Sequence, residues 1–534
     1  MSDLTLLPIL LVVVPLVTAA FLLAVGRFVG GAGRVLALVA TLANTAIAFV
    51  LAGETLGQDG RPIRTEIAGF PAAEGGIELF VDGISAVVLG LIALVSLGVL
   101  VASFDRRRQD SFYALYVLLM AGLSGMVVTN DLFNLYVFLE ISGLATYALI
   151  ASDGSGRSAL ASLKYLLVGT VGASLYLLGV GYAFVATGYL NMVQLEGAFA
   201  EIGHQEPLVQ TAFALIAAGL VIKIALFPVH TWQPDAYTEA PDRVTALVAA
   251  LVSTTAAYAL VRISLGVFTP AFFEANSLIH TLLLALAGAS VVAGSVLAVM
   301  QREVKRMLAY SSVAQFGLVV LGIYLLNGTA LTGTVIHLLG HAIIKVGLFL
   351  GVAAFATAYG VRTVSEYDGL AERAPYASAA VAVLALALVG MPPTVGFVGK
   401  FYIAIGAFEA GAWALLAIIV ASTVLTLGYV MRLLERMYFA DPPDSSPVSP
   451  PAADLSTDGG DPTDESATDG DHTVDEPSND GPSNDVSRTD TAAAGRISRP
   501  LLAVVIVAAL ATLALGVLGS TIEGALAATV EVLV

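Results

Sequence analysis

Cysteine is absent from the 534 residues, which excludes disulfides, thiolate metal sites and iron–sulfur clusters. Charge is scarce: Asp, Glu, Lys and Arg make up 12% of the chain against 57% apolar residues, and a soluble domain carries about twice that charged share. Histidine is rare too, with six copies, so each one inside an apolar run stands out. What the chain has instead is one apolar run after another, separated by short gaps. Mean hydropathy is +0.88. This is the pattern of a single all-α, polytopic membrane bundle and not of several soluble domains.

Crossing about 30 Å of hydrocarbon at 1.5 Å per residue takes roughly 20 apolar residues. The stretches that satisfy this are 4–25, 33–53, 79–103, 111–129, 131–151, 160–187, 209–230, 244–268, 277–300, 306–326, 330–358, 376–399, 411–439 and 500–520. They predict about fourteen transmembrane spans. The first run, Leu4 to Val25, exceeds a signal-peptide core and lacks a basic leader, so it reads as a retained helix.

Loop charge orients the bundle. Arg27 and Arg34, then Arg106, Arg107 and Arg108, then Arg157 and Lys164 follow spans 1, 3 and 5. Arg243, the group Arg302, Lys305 and Arg306, the pair Arg362 and Arg373, and finally Arg432 and Arg436 continue the same alternation. The other loops carry Glu196, Glu201, Glu206, Glu274 and Glu409. Arg61 and Arg64 are exceptions, offset by acids nearby. The positive-inside rule then places both termini outside a cell membrane, which an even number of spans requires.

One stretch is not membrane. From Asp441 to Asp490, fourteen acids face a single Arg, among Ser, Pro, Thr and Gly. Such a segment cannot bury enough surface to fold. It reads as a disordered cytoplasmic linker, 441–499, leading to the last span. It supplies most of the formal charge of −17, an acidity suited to the salt-rich cytoplasm of a halophile.

A charge in the middle of a span costs several kcal/mol or more, so each one is a functional candidate. Glu140 lies in FNLYVFLEISGLATY, Lys223 in AAGLVIKIALFPVH, and Lys400 ends GMPPTVGFVGK. His337, His341 and Lys345 follow one another four residues apart in HLLGHAIIKVGLFL, on one helix face. Burial disfavours a charged lysine and a nearby carboxylate favours it, so such groups form proton sites of adjustable affinity; histidine titrates nearest neutrality and suits a relay between them. A single Glu–Lys pair could be a static packing device. Four separated charges and two histidines point to transport. The two histidines have the spacing of a zinc pair, but no third ligand and no HExxH accompany them. Lys164 and Arg262 lie nearer span ends, where snorkelling competes. No motif for NAD, flavin, quinone, metal or nucleic acid occurs, and no cofactor is expected.

Proline marks two spans as broken. Pro228 interrupts span 7 five residues after Lys223, with His230 close by, and Pro392–Pro393 interrupts span 12 before Lys400. At membrane depth such breaks survive where the freed backbone meets protein or water. Two broken helices, five spans apart and each with a lysine, are the mark of inverted repeats. The expected organisation is therefore spans 1–3 in residues 1–110, a first five-helix repeat in 111–268, an inverted second repeat in 277–440, the linker, and a last helix in 500–534.

These stretches, with SLKYLL, KIALFPVHTWQPDAYTEAP and QREVKRMLAYSSVAQFG, resemble the antiporter-like family. That family is shared by the D-type subunit of Mrp multisubunit Na+/H+ antiporters and by the proton-pumping membrane subunits of respiratory complex I and membrane-bound hydrogenases. The resemblance implies that Glu140 and Lys223 form an ion pair, that His337, His341 and Lys345 form a central relay, and that Lys400 is a terminal proton site. It also implies a secondary role for Lys164 beside Glu140. Two departures stand out. Thr254 replaces the usual lysine or histidine of span 8, and Tyr237 replaces a histidine in PDAY. The implied function is proton conduction in an Mrp-type cation/proton antiporter, with protons, Na+, lipid and other membrane subunits as partners. A subunit of a redox-driven pump, or a scaffold that conducts nothing, are the alternatives, and Thr254 is the argument for the last.

Overall fold

The computed structural model describes residues 3–26, 31–56, 60–67, 76–104, 108–441 and 495–534. Arg27, Arg106, Arg107 and linker residues 442–494 lie outside these. In chain order the helices are α1 (Leu7–Val25), α2 (Gly33–Thr55), α3 (Gly83–Ala102), α4 (Asp110–Val128), α5 (Leu132–Ile150), α6 (Gly156–Thr187) and α7 (Met192–Ile202). They continue with α8 (Pro207–Ile224), α9 (Trp232–Glu239), α10 (Asp242–Ile263), α11 (Thr269–Ala275), α12 (Ser277–Val299), α13 (Val304–Tyr324) and α14 (Gly328–Tyr359). The last six are α15 (Leu370–Arg373), α16 (Pro375–Val389), α17 (Val395–Glu409), α18 (Trp413–Phe439), α19 (Arg499–Val517) and α20 (Gly519–Leu533). Strands β1 (Ile63–Glu66) and β2 (Glu78–Val81) pair antiparallel between α2 and α3.

Thirteen helices among the described residues are long and apolar enough to cross a membrane. The remaining expected span, the twelfth at 376–399, is divided between α16 and α17, each of 15 residues and too short to cross alone. Span 7, expected at 209–230, is α8, which ends at Ile224 and is followed after the break by the short helix α9. The breaks fall where proline demanded them, around Phe227–Pro228 and Pro392–Pro393, both of which are cis.

Two sets of helices repeat at a constant spacing. Asp131, at the N-cap of α5, forms an isolated bridge with Asn191 just past α6; Glu303, at the N-cap of α13, forms one with Thr363 just past α14. Each member of the second pair lies 172 residues after its counterpart, and α6 and α14 are both 32 residues long at that spacing. Gly122 and Gly294 obey it as well. A Cβ on either would meet backbone of the next helix, at Ser142 and at Ala314, so glycine is what lets α4 close on α5 and α12 on α13.

The two sets point in opposite directions, and α10 is the ruler. Its end carries Arg262, paired with Asp82 at 2.5 Å. Close by along β2 is Glu78, which accepts from Asn130 (2.7 Å) and Asn191 (3.4 Å) beside the first bridge. Its start carries Asp242, which accepts from Lys305 at 2.9 Å and lies 3.6 Å from Arg362, beside the second bridge. Corresponding bridges therefore sit at opposite ends of the bundle. The second set is upside down relative to the first.

Small residues let α10 occupy the centre. Its TALVAALVSTTAAYAL run is buried throughout, and α13 and α14 are nearly so. The rim helices α1, α2, α6, α12, α18 and α19 turn wide apolar faces outward.

Candidate functional site

In the first set, Lys223 occupies the last turn of α8, which ends as Ala225 enters the left-handed region (φ 64°). The break would leave carbonyls unpaired. Trp232 Nε1 donates to Ile222 O at 3.0 Å and Ser253 Oγ to Lys223 O at 3.3 Å. The lysine side chain runs inward, 3% exposed, and its Nζ donates to the Tyr147 hydroxyl at 3.1 Å. Nζ also lies 5.5 Å from the Tyr147 ring centre and 6.0 Å from that of Tyr165, which stacks on Trp232. Gly143 and Gly169 create this space: a Cβ on Gly143 would lie 2.9 Å from Nζ, and one on Gly169 would collide with the Tyr147 hydroxyl.

Glu140 is one turn of α5 before Gly143. The carboxylate is near enough for Coulomb interaction with Lys223, yet no ion-pair contact joins the two among the described residues. Its Oε1 is buried without a hydrogen-bond partner. The directly bonded partner of the lysine is thus a hydroxyl two turns along the same helix. The reason is register: Nζ reaches α5 at the level of Gly143 and Tyr147, not of Glu140.

In the second set, Lys400 Nζ donates to Leu388 O (2.9 Å) and Val389 O (3.0 Å). It caps the C-terminal carbonyls of α16 across the break, where a cation is favoured by the helix dipole. Lys345 Nζ donates to Leu308 O (2.7 Å) and Ser311 Oγ (2.5 Å) of α13 and lies 6.0 Å from the Phe349 ring centre. His337 and His341 are buried, and all four ring nitrogens lack hydrogen-bond partners. Phe316 packs edge-on to His341 at 4.7 Å; Gly399 lies against the His337 backbone.

Polar groups fill the interval between the two sets. Gln233 Nε2 donates to Tyr237 OH (3.1 Å) and Ser253 Oγ (3.4 Å), while Tyr237 meets Phe349 edge-on at 5.9 Å. A trail therefore runs from the Lys223 carbonyl through Ser253, Gln233, Tyr237 and Phe349 to Lys345. Gln233 Oε1, Thr254 Oγ1 and Thr255 Oγ1 beside it, and both polar atoms of Gln315, one turn along α13 from Ser311, are buried without protein partners. Buried polar groups that the protein leaves unpaired are satisfied by water.

Lys164 pairs with Asp235 of α9 at 2.8 Å, and Arg306 holds the same carboxylate at 3.1 Å. The lysine's partner is this aspartate and not Glu140, because its side chain extends from the half-exposed side of α6 toward α9 and α13. His230 sits in the break between Phe227 and Tyr310, its Nδ1 unpaired. No group of three or more His, Asp or Glu able to hold a metal ion occurs among the described residues. Tyr147, Gln233 and Gln315 were not singled out from sequence. Gln315, an amide inside the apolar helix α13, was the available signal.

The family model for the NADH:quinone oxidoreductase/Mrp antiporter transmembrane region matches residues 129–426. The chain belongs to that family. Within it, the chain is 44% identical over 438 residues to the N-type subunit of NADH-quinone oxidoreductase from Desulforudis audaxviator, covering 81% of this chain and 86% of that one. It is 30% identical over 448 residues to the D-type subunit of the Na(+)/H(+) antiporter from Bacillus subtilis, covering 83% and 88%. A chain in the solved Mrp complex from Dietzia superposes with a TM-score of 0.82 at 27% identity, over 100% of this chain and 99% of that one. The family match takes in Glu140, Lys223, Lys345 and Lys400 together.

Proposed function

We propose that this chain is the proton-conducting membrane subunit of a multisubunit cation/proton antiporter. The observation that carries it is the set of three lysines buried in separate helices, two of them, Lys223 and Lys345, linked through Ser253, Gln233, Tyr237 and Phe349 with unpaired buried polar atoms nearby. A packing device needs each such group satisfied. A conducting line needs groups free to exchange partners with water.

In this reading Lys223 holds a proton against Tyr147, with the Glu140 charge two turns back along α5 modulating its affinity. Lys345 and the two histidines pass protons along α14, and Lys400 releases or takes them at the second break. Thr254 holds water where the family carries a titratable side chain. The basic end, with Lys305, Arg306, Arg362 and Arg436, faces the cytoplasm by the positive-inside rule, and both termini lie outside. Other membrane subunits assemble beside the chain, as the Mrp likeness supports. The two inverted sets are the two half-paths, 111–268 and 277–440.

The 44% identity to the oxidoreductase relative favours a second reading, the same line driven by redox partners. Membrane vesicles carrying the whole complex distinguish them. Addition of Na+ without any electron donor is expected to collapse an imposed pH gradient. Exchange that appears only with an electron donor would assign the chain to the redox-driven kind.

A further inference from the structure

A polar cleft of roughly 440 Å³ opens at the basic end of the bundle, where the start of α10 meets α9, α13 and α14. Thr238, Asp242, Glu303, Lys305, Ala353 and Thr357 line it. The cleft lies outside the buried lysine line, but two helices carry its floor directly to Lys345. On α14, positions 345, 349, 353 and 357 follow one another four residues apart, neighbours along one helix surface, and the last two line the cleft. From Ala353 to Lys345 is about 12 Å of helix. On α13, Lys305 lines the cleft and Leu308, three residues deeper, offers the carbonyl that Lys345 holds. That is a single turn. The third side is α9, where Thr238 lines the cleft and Tyr237, 1% exposed, presses its ring on Phe349.

We infer that this cleft is the entrance by which protons from the basic face reach Lys345, and that the Tyr237–Phe349 contact is the constriction between them. The inference rests on the proton-conducting reading and supplies its point of entry. The mouth is lined by ionisable side chains of both signs. Asp153, Glu239, Asp242 and Glu303 stand there beside Arg108, Arg157, Arg243, Lys305 and Arg362, so the mouth offers carboxylate oxygens through which a proton can be passed inward. Half-burial pushes the Glu303 carboxyl up from its ordinary range, opposed by Lys305 and reinforced by Glu239. At the floor Lys305 is tied to Ala240 O (2.8 Å) and Asp242 (2.9 Å), which leaves the Tyr237 and Phe349 rings as the barrier on the way to Lys345. Thr245 Oγ1 donates to Tyr237 O at 2.9 Å and holds that ring's backbone to α10.

The absence of native cysteine makes the test direct. Thr357→Cys and Ala353→Cys are introduced separately into the full chain within its complex, and vesicles are treated with a membrane-impermeant cationic thiol reagent from either face. Both cysteines are expected to react from the basic face only, with loss of most exchange. Lys345→Cys, which leaves both rings in place, is expected to stay unlabelled from the basic face unless Tyr237→Ala accompanies it. Full labelling at 353 or 357 with exchange unchanged would overturn the inference. So would labelling of Lys345→Cys with Tyr237 and Phe349 both intact. If Lys223→Ala and Lys400→Ala abolish exchange while a blocked cleft does not, the entrance is wrong and the conducting role stands.

Discussion

A lysine ammonium enclosed by helices keeps its proton only while a neighbour stabilises the charge. Lys223 has the Tyr147 hydroxyl for that purpose, and Gly143 and Gly169 are what allow the two side chains to meet. Gly169→Ala should therefore push the Tyr147 hydroxyl off Lys223 and slow cation/proton exchange markedly while the complex still assembles; vesicle exchange assays and gel filtration check both. Thr254 is fully buried with its hydroxyl unpaired. Thr254→Lys should preserve or raise exchange if water bridges that point, and loss of exchange would show the gap to be dry. The charged positions themselves were legible in the sequence because the membrane makes each exceptional. Their partners were not: Tyr147 is one of 18 tyrosines, and nothing local separates it from ordinary packing.

At the scale of elements, the breaks were readable from Pro228 and Pro392–Pro393, and the spans from hydropathy. The hairpin of β1 and β2 was missed. Its strands are four residues each, too short for alternation to register, and what fixes them is tertiary. Glu78 bonds Arg64 at 3.0 Å, and the Arg64 and Arg262 guanidiniums lie 4.6 and 4.9 Å from the Phe80 ring centre. Helix α20 was likewise read as the tail of the last span. It is a separate helix whose Glu523 accepts from Tyr402 at 2.5 Å. The Arg262–Asp82 pair, with side chains 13% and 10% exposed, locks the hairpin to α10. Arg262→Ala leaves Asp82 buried without its countercharge and should cost on the order of 3–5 kcal/mol, read as a lowered unfolding temperature of the solubilised complex. A change within error would show the pair to be solvated.

For the whole molecule, the 172-residue spacing relates α4–α6 to α12–α14 in opposite directions, while each set also ends in a break that carries a buried lysine, Lys223 before its break and Lys400 after its own. The acidic stretch between α18 and α19 belongs to neither set. Deletion of 444–490 should leave exchange largely intact, because a segment of that composition adds nothing to a core; complete loss with normal insertion would mean that it docks a partner.

The energetic demand on the buried line is modest. A proton crossing the membrane exchanges about 2.3 kcal/mol per 100 mV with the field, equivalent to a change in proton affinity of under about two pKa units. Rearranging one lysine contact is enough to supply that. The measurement that bears most directly on proton conduction by this chain is cation/proton exchange in vesicles bearing the assembled complex with Lys223→Ala, Glu140→Ala or Lys400→Ala. Each variant is expected to lose all or most exchange at normal assembly. Exchange at wild-type rates in all three would make this subunit a scaffold and place the conducting path in another chain.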